Sequence, residues 1–316
     1  MHRGLLNHLL RRVLLAVLLV FLVSSAAFLL VEAAPGDPFD RFDLDPAVAA
    51  AERHRLGLDR PLLVRYVEWL GRAARLDLGD SVKYGRPVRQ LVAERAPRTA
   101  LLGVTALALA TLIGIPAGIV TGSRRNGVTA VARALSLVLV SVPPLVTSFA
   151  LLLLAARTRW FPVGGFPSSG DTTSFVVLLP YLALPAVALA LPLAGSLERL
   201  QSQAMQEALM HPSIAAAVAR GCSSRRVVWR HALRLSLLPV LAIYGVIIGS
   251  VLSGSFAVEV VTSWPGLGAL MYEALVARDL YLVAGCAAAG ALFLALGILA
   301  SDIAMALADP RLEAQA

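Results

Sequence analysis

The stretch Ala-Ala-Ala-Val-Ala-Arg-Gly at residues 215–221 decides the organisation of the chain, because it lies in a polar segment between two long apolar runs. The surrounding arginine-rich segment, residues 197–234, includes six arginines. Small residues followed by Gly221 predict a short helix with a glycine end. Positive charge beside membrane-crossing runs predicts that this helix lies on the cytoplasmic side.

The composition is that of an integral membrane protein. Hydrophobic residues make up 58% of the chain, charged residues 15%, and the mean hydropathy is +0.76, outside the range of soluble domains. The net charge of +8 does not indicate nucleic-acid binding, because the arginines flank apolar runs and lack interleaved aromatic residues. We expect the lipid bilayer, and no nucleic acid, as a partner.

Crossing the hydrocarbon layer takes roughly 20 apolar residues as a helix. Six stretches meet this requirement, at residues 13–31, 99–121, 131–156, 175–196, 235–257 and 283–307. The predicted fold class is therefore an all-α integral membrane protein with six transmembrane helices. Pro143 and Pro144 predict a kink in the third span.

Arginines in the short connections predict the orientation. One side has Arg3, Arg11, Arg12, Arg124, Arg125, Arg133 and the six arginines of the arginine-rich segment. The other side has only Arg157, Arg159 and Arg278. Both termini are therefore predicted to be cytoplasmic.

The long first connection, residues 32–98, predicts a small helical extracytoplasmic insert. Leu62, Leu63, Tyr66, Val67 and Leu70 share one helical face, and residues 87–95 repeat the pattern. We expect the insert to rest on the membrane domain. Its role stays open between a cap without specific function, a docking site for a soluble partner and a wall of the substrate path.

The sequence predicts no catalytic site and no metal site. Only Asp302 lies well inside a predicted span, and the five histidines lie outside the spans, where they cannot serve an intramembrane serine as a base. The single lysine, Lys83, is not preceded by glycine, so the chain lacks a phosphate-binding Gly-Lys-Ser/Thr sequence. We expect no bound cofactor, and any ATP-driven movement would require a separate ATPase.

Several short motifs resemble those of one transporter family in order and spacing. They are Pro35-Gly36-Asp37-Pro38, Leu56-Gly57-Leu58-Asp59-Arg60-Pro61, Asp77-Leu78-Gly79-Asp80-Ser81, Gly85-Arg86-Pro87-Val88, Ala219-Arg220-Gly221-Cys222-Ser223, Arg230-His231-Ala232-Leu233-Arg234, Leu238-Pro239, Glu259, Ser263-Trp264-Pro265-Gly266, Arg278-Asp279, Asp302 and Asp309-Pro310-Arg311. Nearly the whole chain resembles the permeases of binding-protein-dependent ABC importers, in the dipeptide, oligopeptide and nickel family, and within it the first of the two permeases.

The resemblance implies a subunit of the bacterial inner membrane with three kinds of protein partner. These are a second similar permease, two cytoplasmic ATPases that bind ATP and Mg, and an extracytoplasmic solute-binding protein. It divides the chain into a cytoplasmic segment with the first span (1–31), the insert (32–98) and the permease domain (99–316), whose coupling loop is the arginine-rich segment (197–234).

The resemblance also implies two sets of site residues. In the coupling loop they are Ala217, Ala219, Arg220, Gly221, Ser223 and His231. Along the pathway and outer gate they are Gly249, Ser253, Gly254, Glu259, Trp264, Pro265 and Gly266. Close helix packing is the alternative interpretation of the small residues in the fifth span.

Three departures from the family pattern stand out. Residues 212–214 and Arg220 replace an aromatic, a basic residue and a lysine in the loop helix, Thr262 stands near a common phenylalanine, and Leu76 replaces a frequent glycine. Peptides are the expected cargo, with nickel chelates, opines and glutathione-like compounds as alternatives. A gradient-driven carrier and, more remotely, a membrane-embedded hydrolase are the competing functions.

Overall fold

The computed structural model describes residues 2–33, 46–55, 59–167 and 175–308, and these ranges are helical apart from turns and one isolated bridge. The helices are α1 (His2–Ala33), α2 (Pro46–Arg55), α3 (Leu62–Ala73), α4 (Val88–Ser123), α5 (Gly127–Ser141), α6 (Pro144–Thr158), α7 (Phe175–Leu209), α8 (Pro212–Ala219), α9 (Ser224–Arg226), a π-helical turn (Val227–Ala232), α10 (Leu233–Val261), α11 (Leu267–Ala277) and α12 (Leu280–Ala308). Three family motifs, at 35–38, 56–58 and 309–311, lie outside the described residues.

The described residues include five single helices that form apolar spans and a bent helix pair that makes a sixth when it is counted as one span. The single helices are α1, α4, α7, α10 and α12, each long and apolar enough to cross a membrane. The pair α5 and α6 passes the same test jointly, with a bend of 103°. The predicted all-α membrane class is confirmed.

The third span is broken into two helices, and the change in direction between them is larger than the predicted kink. Val142 and Pro143 have ψ angles of 116° and 147°, which are extended. Two consecutive prolines remove two amide donors, and helical geometry is disfavoured for a residue that precedes proline. The chain therefore leaves α5 at Ser141 and starts a new helix at Pro144.

The bent pair nevertheless leads from one end of the helix bundle to the other. At its start, the end of α4 meets the end of α7, where a Cβ on Gly122 would lie 2.5 Å from the Ser202 carbonyl oxygen. Beyond its finish, Gly165 N–H donates to the Thr262 carbonyl (3.0 Å), just after α10. Gly254 of α10 contacts Leu189 of α7, which lies about 20 Å from Ser202 along α7. Thr262 lies about 12 Å beyond Gly254 along α10, so the two ends of the bent pair are about 30 Å apart.

The chain divides into two compact units. One is built around Leu101–Trp264, and the other contains Leu10–Ala100 and Pro265–Ala295. Helices α4 and α12 contribute to both. The second apolar pattern of the insert, at residues 87–95, lies at the start of α4, which runs unbroken into the second span.

Within the first unit, a glycine ridge on α4 packs directly on the backbone of α7. Gly114, Gly118 and Gly122 recur every four residues, the small-residue spacing of closely packed membrane helices. A Cβ on Gly118 would stand 2.6 Å from the Glu198 carbonyl oxygen and 2.6 Å from the Gln201 Cβ. Backbone contact of this kind leaves no room for a methyl group.

We expect Gly118→Ala to destabilise the protein by about 1–3 kcal/mol, because helices this close must shift to accept the methyl group. Gly127→Ala is the matched control, since a Cβ there meets nothing within 4 Å. Thermal unfolding in detergent should separate the two variants. Equal midpoints would show that the α4–α7 contact is looser than described.

In the second unit, α3 packs across the end of α1. The Phe28 ring packs at a tilt against the rings of Tyr66 and Trp69, with centroid distances of 5.6 and 5.1 Å. Tyr66 donates from its hydroxyl to Ser25 Oγ (2.8 Å), and Arg65 forms an ion pair with Glu32. The insert therefore rests on a membrane helix as predicted. The packed face is different, because Arg65 and Trp69 are buried whereas Leu63 and Val67 are exposed.

Asp279 connects the turn before α4 to the start of α12. Its Oδ1 accepts from the Leu282 N–H (3.2 Å), and its Oδ2 accepts from Ser81 Oγ (2.5 Å) and the Lys83 N–H (3.1 Å). Burial raises the pKa of the Asp279 carboxyl, and these hydrogen bonds oppose the rise. Two family motifs almost 200 residues apart in sequence thus form one buried cluster.

Leu76, where the family has a frequent glycine, occupies a backbone conformation that suits glycine. Its φ is +61°, and it ends α3 through hydrogen bonds from Leu76 N–H to Ala73 O (2.9 Å) and from Asp77 N–H to Arg72 O (3.0 Å). This is the Schellman arrangement, in which the left-handed residue is usually glycine. A branched side chain there is strained.

Leu76→Gly should therefore raise stability by about 1 kcal/mol, because the left-handed conformation costs a non-glycine residue about that much. Leu63→Gly, a second exposed leucine but inside α3, should lower stability by about 1 kcal/mol through helix propensity. Opposite shifts in thermal midpoint would support the assignment. A loss of stability in both would contradict it.

Candidate functional site

The arginine-rich segment is shorter as a connection than the sequence indicates. Helix α7 continues to Leu209, thirteen residues beyond the predicted end of the span at residue 196. The connection proper therefore begins at Met210 and ends with the π-helical turn that precedes α10. Within it, α8 is the helix that the alanine-rich stretch predicts.

Local hydrogen bonds fix both ends of α8. At the start, His211 Nδ1 accepts from the Ser213 N–H (3.2 Å), and proline occupies the first helical turn. At the end, Gly221 N–H donates to Val218 O (2.8 Å) and Cys222 N–H to Ala217 O (3.2 Å). Gly221 has φ +80°, so the predicted glycine end is a Schellman motif.

One face of α8 is anchored to the membrane helices. Ile214 is buried in a cluster with Ile119 of α4, Met205 of α7 and Ala232, just before α10. Ala217, three residues further along α8, is also buried, at 1% exposed. Force applied to α8 would reach three membrane helices through this cluster.

The opposite face of α8 is exposed and made of small residues. Ala215, Ala216, Val218 and Ala219 are exposed, as are Arg220 at the helix end and Ser223 beyond it. His231 lies apart from α8, half-buried in the π-helical turn. Turns of this type are rare and often occur at functional sites. The apolar side chains of Met210 and Trp229 are also exposed.

The pathway residues predicted in the fifth span have unequal environments. Gly254 is packed, since a Cβ there would lie 2.8 Å from Leu189 Cδ1 and 3.4 Å from Pro144 Cγ. Ser253 is exposed and Gly249 is half-buried. Glu259 is fully buried near the end of the helix. Close packing therefore accounts for Gly254, and Ser253 is the residue left open to a path.

A tight turn closes the C-terminal end of α10. Ser263 has φ +53°, and Trp264 N–H donates to the Glu259 carbonyl (2.9 Å). The Trp264 ring is fully buried edge-on against Phe166, with centroids 5.5 Å apart. Pro265 and Gly266 follow in the other compact unit, where Gly266 precedes α11.

Family comparisons match both parts of the chain. Residues 114–314 match the model of the binding-protein-dependent transport system inner membrane component, and residues 5–103 match the N-terminal model of the corresponding membrane component. The chain belongs to this family. It is accordingly an integral membrane permease subunit of ABC importers.

Full-length relatives agree with this assignment. The chain is 34% identical to a putative peptide permease protein of Brucella ovis, over 98% of this chain and 99% of that protein. It is 32% identical to the oligopeptide transport system permease protein AppB of Bacillus subtilis (97% and 99%) and 32% identical to the dipeptide transport system permease protein DppB of Lactococcus lactis (96% and 98%).

Two buried polar residues of this permease escape the sequence analysis because α7 is longer than predicted. Glu198 and Gln201 are 2% and 0% exposed. Thr121 donates to Glu198 Oε1, and Gln201 Nε2 donates to Ser236 Oγ (2.8 Å). Asp302 is therefore not the only carboxylate inside a long apolar helix. The sequence feature that indicates these buried residues is a glutamate and a glutamine three residues apart, which pack against the Gly-x-x-x-Gly ridge of α4.

A glycine pair, Gly164 and Gly165, supports the end of α10. Gly164 has φ +104°, and a Cβ on it would lie 2.6 Å from the Thr262 carbonyl oxygen, which also accepts from the Gly165 N–H. Only glycine fits this approach. Residues 164 and 165 therefore join the permease's candidate gate.

Replacing Gly221 tests the end of α8 without a steric clash, because a Cβ there meets nothing within 4 Å. Gly221→Ala should speed amide hydrogen exchange in the α8 peptide by a factor of about 5–30, equivalent to 1–2 kcal/mol of left-handed strain. Gly221→Asn should stay near the parent protein, since asparagine tolerates this conformation. Identical exchange in all three proteins would contradict the assignment.

Proposed function

We propose that this chain is the permease subunit of an ATP-driven importer of peptides. A solute-binding protein delivers the peptide outside the membrane, and this chain forms the passage with a second permease. Two cytoplasmic ATPases supply the driving force. Both termini and α8 are then cytoplasmic, in agreement with the distribution of arginines.

The observation that carries the proposal is the two-sided construction of α8. Ile214 anchors its inner face in the buried cluster, Ala217 is buried on the same face, and its outer face consists of alanines and Val218. A helix with small exposed residues fits a groove on a partner protein. Movement of that partner would be passed to α4, α7 and α10 through the buried cluster.

The charge around α8 limits the chemistry of the partner. Arg220, Arg225, Arg226 and Arg230 are all exposed beside the alanine face. A groove with acidic residues on its rim would complement them and speed association. The apolar Trp229, also exposed, provides an anchor of the type that dominates binding energy at interfaces.

Peptide is the substrate class that the relatives support. The three relatives are named as peptide, oligopeptide and dipeptide permeases, and they align over almost their full lengths. The described residues hold no group of three or more His, Cys, Asp or Glu side chains placed to bind a metal ion. Nickel transport has no comparable support.

We expect Ala216→Trp to abolish co-purification of the ATPases while the variant still inserts and folds, because residue 216 is exposed and makes no internal packing. Ala74→Trp is the matched control, an exposed alanine just after α3. It should leave ATPase binding unchanged. Undiminished ATPase binding by the Ala216→Trp protein would remove α8 from the coupling interface.

A further inference from the structure

We propose that α3 is an interfacial helix, lying along the membrane boundary where α1 ends, with Leu63 and Val67 among the lipid acyl chains. The proposal concerns the membrane contact of the insert. It does not depend on the transported substrate or on the source of energy.

The crossing of α3 over α1 fixes which flank of α3 is nearer the bilayer. Tyr66 bonds to Ser25, whereas Arg65 pairs with Glu32, seven residues closer to the end of α1. At 1.5 Å per residue these two points on α1 are about 10 Å apart. Adjacent residues of α3 reach both points, so α3 crosses α1 with its Tyr66 side toward the apolar middle of α1.

Helical spacing then places the remaining side chains on two opposite flanks. At 100° per residue, Leu63 and Val67 follow on the Tyr66 side of the packed face. Glu68 and Arg72 lie on the Arg65 side. The apolar flank therefore points along α1 toward the hydrocarbon layer, and the charged flank points away from it.

Exposure agrees with this arrangement. Leu63 is 75% exposed and Val67 is 65% exposed. Contact of two neighbouring aliphatic side chains with water would be unfavourable. Further along α1, the face that α3 covers continues as exposed Leu14, Leu18 and Phe21. The apolar flank of α3 and this stripe of α1 form one continuous apolar surface, as lipid contact requires.

The charged flank has the chemistry of a phosphate-binding surface. A cavity of about 480 Å³ beside α3 is lined by Arg55, Arg60, Arg72 and Arg75 with a single acid, Glu68. Arg60 pairs with Glu68 (2.7 Å), and the Arg72 guanidinium lies 5.4 Å from the centre of the Tyr281 ring. Tyr281 is in the first turn of α12, a membrane span.

The positions of the charged and apolar groups along the membrane normal match those of the headgroup and acyl chains of a phospholipid. A helix is about 10 Å across, so guanidinium groups on one flank stand roughly one headgroup above aliphatic residues on the other. Tyrosine at the start of a span is typical of the same boundary. A lipid occupies both flanks at once, whereas a soluble protein would meet only the flank that faces water.

Spin labels on the two flanks test the proposal. In the full chain with Cys222→Ser and Cys286→Ala, nitroxides would be attached at Leu63→Cys, Val67→Cys and Glu68→Cys. The protein would be reconstituted in vesicles of phosphatidylethanolamine and phosphatidylglycerol. We expect labels at 63 and 67 to collide several-fold more with oxygen than with a water-soluble nickel chelate, and the label at 68 to show the reverse.

Three outcomes would overturn the proposal. The first is equal nickel access at all three positions, which would mean that the apolar flank faces water. The second is protection at 63 and 67 only when the solute-binding protein is added, which would make this flank a protein-docking surface. The third is protection that persists in lipid-free detergent and depends on protein concentration, which would indicate a second copy of the chain.

Discussion

The close approach of α4 and α7 is the constraint on which the rest of the first unit depends. Three glycines at four-residue spacing bring the α4 backbone against α7, to distances that exclude even a methyl group. In a bilayer, lipid tails are as apolar as leucine, so helices associate through such close packing and through buried polar contacts. The hydroxyl of Thr121 on Glu198 supplies one of these contacts beside the ridge.

The closely packed pair of α4 and α7 is a rigid base against which α8 packs. Ile119, within the ridge segment of α4, and Met205 of α7 belong to the cluster that buries Ile214. The same cluster includes Ala232, directly before α10, and α10 ends about 44 Å further along its axis at the turn that buries Trp264. A displacement of α8 therefore has a continuous packed route to the opposite end of the bundle.

Periodicity and composition were enough to predict the helical class, the six spans and the position of α8, because hydrophobic length and a glycine end are local properties. The details that failed are tertiary. The angle at Pro143-Pro144 depends on what packs around the break, and the length of α7 depends on Glu198 and Gln201 finding partners on α4 and α10.

Helix α3 shows most clearly which features cannot be predicted from the sequence. The helix predicted from the spacing of its apolar residues is present. Apolarity alone, however, does not distinguish a helix face packed on protein from one packed on lipid. The ion pair of Arg65 with Glu32 turned a charged residue inward and left Leu63 exposed. The glycine ridge of α4, by contrast, is visible in the sequence as three glycines at four-residue spacing.

Energy coupling is the central claim, and reconstituted transport tests it most directly. The assembled complex would be placed in vesicles with its solute-binding protein and a labelled peptide on one side and nucleotide on the other. We predict uptake with ATP, none with ADP or a non-hydrolysable analogue, and no dependence on a proton or sodium gradient. Uptake that follows an imposed gradient in the absence of ATP would contradict the account.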